Sequence, residues 1–251
     1  MFQLIQRSLD HPPSRFRPHD SGKRDQRQQR PERNRSIQRM RMDIADARIL
    51  VLAPHTDDGE LGAGASIAKW IRGGNDVYYV GFSACETIQP AEPKDLLRIE
   101  CLSATQQLGI DKEKLRILDF EVRHFNRDRQ RVLDTMVELN KELQPDLVIV
   151  PSSDDTHQDH SVVFDESRRA FKQTRMLGYE VPWNNFRFET TAFVPVQHQD
   201  MAAKMKALAE FHSQDKREYM NPAYQEAQLR FRGVQAGAEL AEAFQVLRWY
   251  L

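Results

Sequence analysis

The sequence predicts an α/β fold in which helices cover both faces of a mostly parallel β-sheet. Short runs rich in β-branched residues alternate along the chain with longer amphipathic stretches, a pattern typical of parallel strands joined by helices. The amphipathic stretches end at plausible helix stops, such as Gly73-Gly74, Gly109 and Pro145. These observations together predict a Rossmann-like single domain.

The predicted strands and helices follow in regular order from residue 47 onward. The strand candidates are 48–53, 76–83, 115–120 and 146–152, with weaker strand character in 186–196. The helix candidates are 60–73, 93–109, 128–143 and 160–173, followed by 200–214 and 226–244. Because parallel strands linked through helices cross over right-handed, their carboxyl ends face one edge of the sheet, where ligands bind.

The composition changes at about residue 46. Residues 1–46 hold 11 Lys or Arg and 6 Asp or Glu, a net charge of +5, and the remainder holds 25 and 31, a net charge of −6. Because the first segment has few large apolar side chains, we expect a disordered basic extension before one domain at 47–251. The alternatives are a basic arm for RNA or membrane, a transit peptide, and a misplaced start with Met40 or Met42 as the first residue. The acidic domain argues against a nucleic-acid partner.

The cysteine content and the hydropathy of the chain indicate the cellular compartment in which the protein is expected. Cys85 and Cys101 form no Cys-x-x-Cys pair, so neither a disulfide framework nor a thiolate zinc site is expected. No run approaches the roughly 20 apolar residues that span a bilayer. We therefore expect a soluble cytoplasmic protein without a membrane partner, and a homo-oligomer is left open.

Two polar clusters follow apolar strand candidates. The stretch "APHTDDGELG" at 53–62 leaves the first strand, and "PSSDDTHQDH" at 151–160 leaves the fourth. Because both loops emerge at the carboxyl edge of the predicted sheet, we expect their histidine and carboxylate side chains to lie close together.

The residue types in these clusters predict a catalytic metal site. Such a site needs three protein ligands and an open position, and imidazoles with a carboxylate suit zinc. His55 and Asp58 can point to one side of a strand-to-helix turn, and His160 completes the set. The other residues are predicted to be catalytic. Asp57 is free to accept a proton from water, His157 could face the substrate, and Asp159 could hold the second ring nitrogen of a histidine.

Each of these residues, taken alone, also fits an ordinary structural role. An Asp57-Asp58 pair at a helix start is typical of capping, and a single histidine at a strand end is more often structural than a ligand. The joint pattern of two His/Asp loops favours a metal site. Gly59, Gly62 and Gly64 lack the Gly-x-Gly-x-x-Gly spacing, so no dinucleotide site is predicted.

The two clusters contain the motifs His55-Thr56-Asp57-Asp58-Gly59 and His157-Gln158-Asp159-His160. They resemble the His-Pro-Asp-Asp-Glu and His-x-Asp-His motifs of the PIG-L or LmbE-like family, metal-dependent deacetylases that act on N-acetylated sugars. The resemblance runs from about residue 47 to the C-terminus and includes the segments 98–109, 177–184 and 206–214. Thr56 replaces the usual proline, and Gly59 replaces the usual glutamate, whose carboxylate is either supplied by Glu60 or missing.

The resemblance implies a role for most of these residues. His55, Asp58 and His160 are expected to bind zinc. Asp57 is the expected general base, and His157 the expected acid or oxyanion partner.

Further residues are candidates for contacts with the substrate. Arg98 matches an arginine that reaches the sugar in related enzymes, and a solvated surface pair is the alternative for it. Arg123, His124 and Arg129 follow the third strand and could face an anionic group of the substrate. His212 either lines the pocket or is an ordinary helix residue.

The predicted function is hydrolysis of the N-acetyl amide of an amino sugar, which releases acetate and the free amine. The small-molecule substrate is free, nucleotide-linked or otherwise conjugated. A metal-dependent phosphoesterase would use similar ligands, but normally with more carboxylates and a second ion. A non-catalytic sugar- or nucleotide-binding domain is the other alternative, and the presence of Asp57 argues against it.

Overall fold

A seven-stranded β-sheet forms the centre of the fold. The computed structural model describes residues 44–87 and 93–250, so most of the extension predicted at 1–46 lies outside the described residues. Within those two ranges, every helix is too short or too polar to cross a lipid bilayer.

The seven strands and six α-helices of the described residues alternate along most of the chain. The strands are β1 (Arg48–His55), β2 (Asp76–Ser83), β3 (Leu115–Ile117), β4 (Leu147–Pro151), β5 (Arg175–Tyr179), β6 (Ala192–Val196) and β7 (Leu240–Arg248). The helices are α1 (Asp58–Arg72), α2 (Leu96–Gln107), α3 (Arg129–Leu143), α4 (Gln158–Ala170), α5 (His198–Ala209) and α6 (Pro222–Ala236).

The strand order across the sheet is β3-β2-β1-β4-β5-β7-β6. β1 is the third of the seven strands and pairs in parallel with β2 and β4, with Ile49 opposite both Val77 and Leu147. β3 and β5 extend the parallel part, and β7 runs antiparallel to β5 and β6. The chain order therefore reverses between β1 and β4, which makes this the switch point where ligands bind in such sheets.

Alternate residues of β1 point into two separate hydrophobic cores. Ile49 and Val51 pack in one core with residues of α1, α2 and α5. Leu50 and Leu52 pack in the other with residues of α3 and α4. All four side chains are fully buried. Helices therefore cover both faces of a mostly parallel sheet, which confirms the predicted Rossmann-like fold class.

The helix predicted at 226–244 is wrong beyond Ala236. α6 ends before Gly237, whose left-handed φ of 62° stops the helix, and β7 begins at Leu240. The Ala, Glu and Leu residues that follow Gly237 favour a helix in isolation. Here the segment pairs with a strand on each side and buries Phe244. Tertiary pairing thus overrides local helix propensity.

β5 is a strand that the sequence pattern does not predict. Its five residues, RMLGY, include no β-branched residue and contain Gly178. It nevertheless pairs in parallel with all of β4. Burial between β4 and β7 stabilises this strand, and a weak local preference does not prevent it.

Several other elements are shorter than predicted, among them β3 and α5. β3 ends at Ile117 rather than at 120, although the Leu118 amide still donates to the Gly81 carbonyl of β2 at 2.8 Å. α5 ends at Ala209 rather than at 214, and a 3₁₀ turn follows at His212–Gln214. Both differences concern element ends, where local signals are weakest.

Candidate metal centre

The two polar loops meet at the switch point of the sheet. β1 ends at His55 and α1 begins at Asp58, while β4 ends at Pro151 and α4 begins at Gln158. Because β1 and β4 are neighbours, both loops leave the same edge. The imidazole rings of His55 and His160 lie 5.2 Å apart between centroids. Residues 105 positions apart in the chain therefore share one site.

Three side-chain atoms at this site form a nearly equilateral triangle. His160 Nε2 lies 3.2 Å from His55 Nδ1 and 3.1 Å from Asp58 Oδ2. His55 Nδ1 lies 3.2 Å from the same oxygen. Ligand atoms bound at about 2.0 Å to a tetrahedral metal ion are about 3.3 Å apart. The triangle therefore fits one face of such a coordination sphere.

A buried aspartate holds the remaining ring nitrogen of each histidine. Asp159 Oδ2 lies 3.1 Å from His55 Nε2, and Asp155 Oδ2 lies 2.7 Å from His160 Nδ1. A carboxylate in this position keeps the proton on the nitrogen that faces it and leaves the other nitrogen free as a donor to a metal. Both imidazoles are thus oriented with a lone pair towards the triangle.

Asp155 is a residue of this site that the sequence pattern did not single out. It lies in the predicted second loop, five positions before His160. In the sequence, nothing distinguished it from the neighbouring Asp154 and the nearby serines. The structure distinguishes it by burial and by a second bond, in which Asp155 Oδ1 accepts from the His157 amide at 2.9 Å. A carboxylate that precedes a ligand histidine in the same loop is the signal that was available.

His157 offers an alternative third ligand. Donor atoms of His55, His157 and His160 all lie within 4.8 Å of one another, so these three histidines could hold a metal ion. Their spacing is looser than that of the triangle formed with Asp58. The two donor sets share His55 and His160 and differ only in the third residue.

The electrostatics of the site favour positive charge. Burial alone would lower the pKa of His160, but the carboxylates of Asp58 and Asp155 raise it to about 10. Burial alone would also lower the pKa of His55, but Asp159 and Asp58 raise it above its ordinary value. Buried carboxylates that stabilise protonated imidazoles also stabilise a metal cation that binds in place of the protons.

Asp57 lies at the start of α1, half-buried. It is the N-cap residue, but its side chain makes no capping hydrogen bond, so capping does not account for the residue. Burial and the adjacent charge of Asp58 raise its pKa to about 6, while the charges of His55 and Arg217 act in the opposite direction. A carboxylate with a pKa near neutrality is suited to general acid–base chemistry.

His157 is the N-cap of α4 and its ring lies against both other histidines, with centroids 4.8 Å from His55 and 4.7 Å from His160. Its Nδ1 accepts a hydrogen bond from the Asp159 amide at 3.1 Å. Burial and the two nearby histidines lower its pKa to about 4. The neutral ring therefore carries its proton on Nε2, which makes that nitrogen a hydrogen-bond donor.

Glu60 does not replace the missing carboxylate at position 59 within the polar cluster. It is fully buried, and its carboxyl bonds to the hydroxyl of Tyr79, a residue of the hydrophobic core. Burial raises the pKa of Glu60 well above its ordinary value. The same hydroxyl accepts from the Gly59 amide at 3.2 Å and lies 3.5 Å from the Thr56 carbonyl. Tyr79 thus ties the first loop to the sheet.

Gly59→Ala is expected to lower the free energy of unfolding by about 1–3 kcal/mol through overpacking. A Cβ atom at this position would come within 2.5 Å of the Tyr79 ring, which is fully buried. Gly81→Ala is the matched control, because its Cβ would meet its nearest neighbour at 3.8 Å. Urea unfolding measures both variants, and equal stability of the two would contradict the close packing.

The arginine proposed to reach the sugar is fully engaged within the fold. The Arg98 guanidinium bonds to Glu86 at 2.7 Å and to the carbonyls of Ile117 at 2.8 Å and Leu118 at 3.1 Å. These contacts attach α2 to the end of β3. A contact between Arg98 and a substrate would have to compete with them.

The side chains of the remaining candidate substrate residues are exposed or paired with residues outside the triangle. The Arg123 amide donates to Asp159 at 2.5 Å, and its side chain is exposed. His124 and Arg129 pair with carboxylates of their own neighbourhood. His212 is exposed and lines a cavity beside α5.

The fold and the site define a class of protein, a Rossmann-like α/β domain with a histidine–aspartate centre at the carboxyl edge of its sheet. Residues 50–171 match the family model described as PIG-L: GlcNAc-PI de-N-acetylase. This match confirms the resemblance to the PIG-L family predicted from the two motifs. The matched residues include both of them.

Several solved structures share the fold. GalB, the 4-carboxy-2-hydroxymuconate hydratase from Pseudomonas putida KT2440, is 19% identical with a TM-score of 0.67, over 82% of this chain and 98% of that chain. N,N'-diacetylchitobiose deacetylase from Pyrococcus horikoshii is 19% identical with a TM-score of 0.60, over 80% and 84%. The zinc inhibited form of teicoplanin deacetylase Orf2 is 16% identical with a TM-score of 0.64, over 78% and 96%. No curated protein sequence matches the chain.

Proposed function

We propose that this protein is a metal-dependent N-deacetylase that hydrolyses the acetamide of an N-acetylated amino sugar. The observation that carries the proposal is the triangle of His55 Nδ1, His160 Nε2 and Asp58 Oδ2, with edges of 3.1–3.2 Å. The family match over residues 50–171 supports the reaction type. The fold alone does not, because a hydratase and deacetylases are among the similar structures.

In this proposal His55, Asp58 and His160 hold a divalent ion, either zinc or an ion of similar preference, because two imidazoles and one carboxylate suit it. When bound, such an ion polarises the amide carbonyl and lowers the pKa of water. Asp58 is preferred to His157 as the third ligand, since its oxygen completes the tighter triangle. His157 is then free for the substrate.

Asp57 acts as the general base in the proposed reaction. It takes the proton of the attacking water and returns it to the departing amine, a double use that a pKa near 6 permits at neutral pH. The Nε2–H of neutral His157 donates to the carbonyl oxygen as negative charge develops there. Of the two roles expected for His157, its lowered pKa favours the oxyanion partner over the acid.

Arg98 and Arg123 remain proposed contacts for the sugar. The Arg98 guanidinium already bonds to one carboxylate and two carbonyls. The contact proposed for it is therefore a sugar hydroxyl that bonds to the guanidinium alongside these partners. Arg123 has an exposed side chain next to Asp159. A cytoplasmic location is likewise kept as a proposal.

Incubation of the purified protein with a panel of N-acetylated sugars is expected to release acetate, and removal of the metal with a chelator is expected to abolish the release. Restoring zinc or another divalent ion should recover it. A phosphoesterase would instead release phosphate from sugar phosphates, and a binding domain would release neither product. Acetate release that survives complete metal removal would contradict the proposed role of the triangle.

A further inference from the structure

A cavity of about 470 Å³ lies beside α5, lined by this helix and by the segment 212–222. Its size falls within the range of about 300–1,000 Å³ typical of ligand sites. The charged and titratable residues of its wall are His212, Asp215, Lys216, Arg217 and Glu218. Neither of the two motifs contributes to it.

A chain of contacts links this cavity to the second polar loop. The amide and hydroxyl of Thr156 donate to the Asn184 carbonyl at 3.3 Å and 2.9 Å. The adjacent Trp183 stacks on Tyr219 with ring centroids 3.7 Å apart and planes 10° from parallel. The Tyr219 hydroxyl accepts a hydrogen bond of 2.6 Å from Arg217. Arg217, in the cavity wall, is therefore connected to the second loop through the stacked pair of Tyr219 and Trp183.

Arg217 is a cation without a carboxylate partner. Among residues 44–87 and 93–250, no Asp or Glu oxygen forms an ion pair with it, whereas Arg98 and Arg129 both have such partners. Its side chain is exposed, and a tyrosine hydroxyl uses only one of its five donors. Its charge also acts on Asp57. The guanidinium is thus available to a ligand that reaches the proposed base.

The cavity as a whole is not strongly basic. His212 and Lys216 line it with Arg217, but Asp215 and Glu218 line it too. Any preference for an anion must therefore come from the directional guanidinium rather than from net charge. The planar guanidinium presents N–H groups in a geometry that matches the oxygens of a phosphate or a carboxylate. A lysine ammonium is a point charge and lacks this match.

We infer that this cavity receives an anionic substituent of the sugar, a phosphate ester or a carboxylate, and that Arg217 selects it. The inference rests on the proposed deacetylase function for the identity of the sugar. The stacked Trp183 and Tyr219 hold the guanidinium at the rim of the cavity, and Tyr219 is fixed by that stack. Arg217 is accordingly a specificity-determining residue, and an amino sugar without an anionic substituent lacks the group that it binds.

Calorimetric binding to the metal-loaded, full-length protein tests this inference without requiring turnover. The probes are glucosamine, glucosamine 1-phosphate, glucosamine 6-phosphate and muramic acid, which share one amino sugar and differ in the anionic group. At least one anionic probe is expected to bind about 10- to 100-fold more tightly than glucosamine. The two sugar phosphates test binding of a phosphate ester, and muramic acid tests binding of a carboxylate.

Arg217→Gln is expected to remove this preference while leaving the affinity for glucosamine unchanged. Lys141→Gln, which removes the same charge at an exposed position of α3, is the control and should retain it. Equal binding of all four probes to the unaltered protein, or a preference that survives Arg217→Gln, would overturn the inference.

The binding assay also separates this inference from the proposed function. Anion preference without acetate release from any substrate would reject the deacetylase and keep the site. Acetate release without anion preference would reject only the role of Arg217.

Discussion

Asp57→Asn is expected to lower the turnover number for acetate release by about 100- to 10,000-fold, the usual effect of losing a general base. The amide has nearly the shape of the carboxylate but cannot take a proton from water. Because Asp57 is outside the triangle of donor atoms, the metal content of the variant should equal that of the unaltered protein. Steady-state kinetics and elemental analysis of the same preparation measure both quantities.

Asp128→Asn is the matched control for this variant. Asp128 is also an N-cap residue whose side chain makes no capping hydrogen bond, so the substitution changes the same chemical group in the same type of local structure. It should leave turnover unchanged. Full activity of Asp57→Asn would reject Asp57 as the base, and loss of metal from that variant would place Asp57 among the ligands instead.

His160→Ala is expected to abolish stoichiometric metal binding and with it the activity. The substitution removes one corner of the triangle, so that buried Asp155 loses its imidazole partner and buried Asp58 keeps only His55. Removing one member of a buried charged pair costs about 3–5 kcal/mol, so the variant should also be markedly less stable. Elemental analysis, together with thermal unfolding, measures the two effects.

Asp155→Asn gives a milder form of the same experiment that does not depend on the folding of His160→Ala. It keeps the ligand but weakens the bond that orients its ring, for which a loss of about 10- to 100-fold in metal affinity is expected. His198→Ala, at an exposed histidine that pairs with Glu239, should have no effect. Unchanged metal affinity in Asp155→Asn would contradict the orientation of His160 by that carboxylate.

A comparison of Asp58→Ala with His157→Ala decides between the two donor sets. If Asp58 is the third ligand, its removal should eliminate the metal, and His157→Ala should retain it while losing activity. The reverse result would assign the metal to the three histidines.

Much of this architecture was predictable because its signals are local. The runs that became β1, β2 and β4 are short and apolar, and the helices after them end at recognisable stops. Few chain topologies combine this alternation of strands and helices with right-handed crossovers. It follows that the two His/Asp loops had to emerge at one edge, and the pairing of β1 with β4 then brought His55 and His160 together.

Local signals did not predict the antiparallel end of the sheet. The segment that forms β7 is rich in helix-favouring residues and follows a real helix, so only its pairing with β5 and β6 makes it a strand. β5 lacks β-branched residues and depends on the same pairing. Such contacts join residues far apart in the chain, and no short window of sequence contains both partners.

The residue identities and their spacing by themselves determined the fold class, the two motifs and the chemical types available for binding a metal. Only the tertiary structure decided which carboxylate faces which imidazole nitrogen, that Tyr79 occupies the space beside Gly59, and that Arg217 bonds to the hydroxyl of Tyr219. The reason is physical. Chain connectivity and hydrophobic patterning restrict where a strand ends, but hydrogen-bond partners and unpaired charges are set by side chains that meet across the sheet.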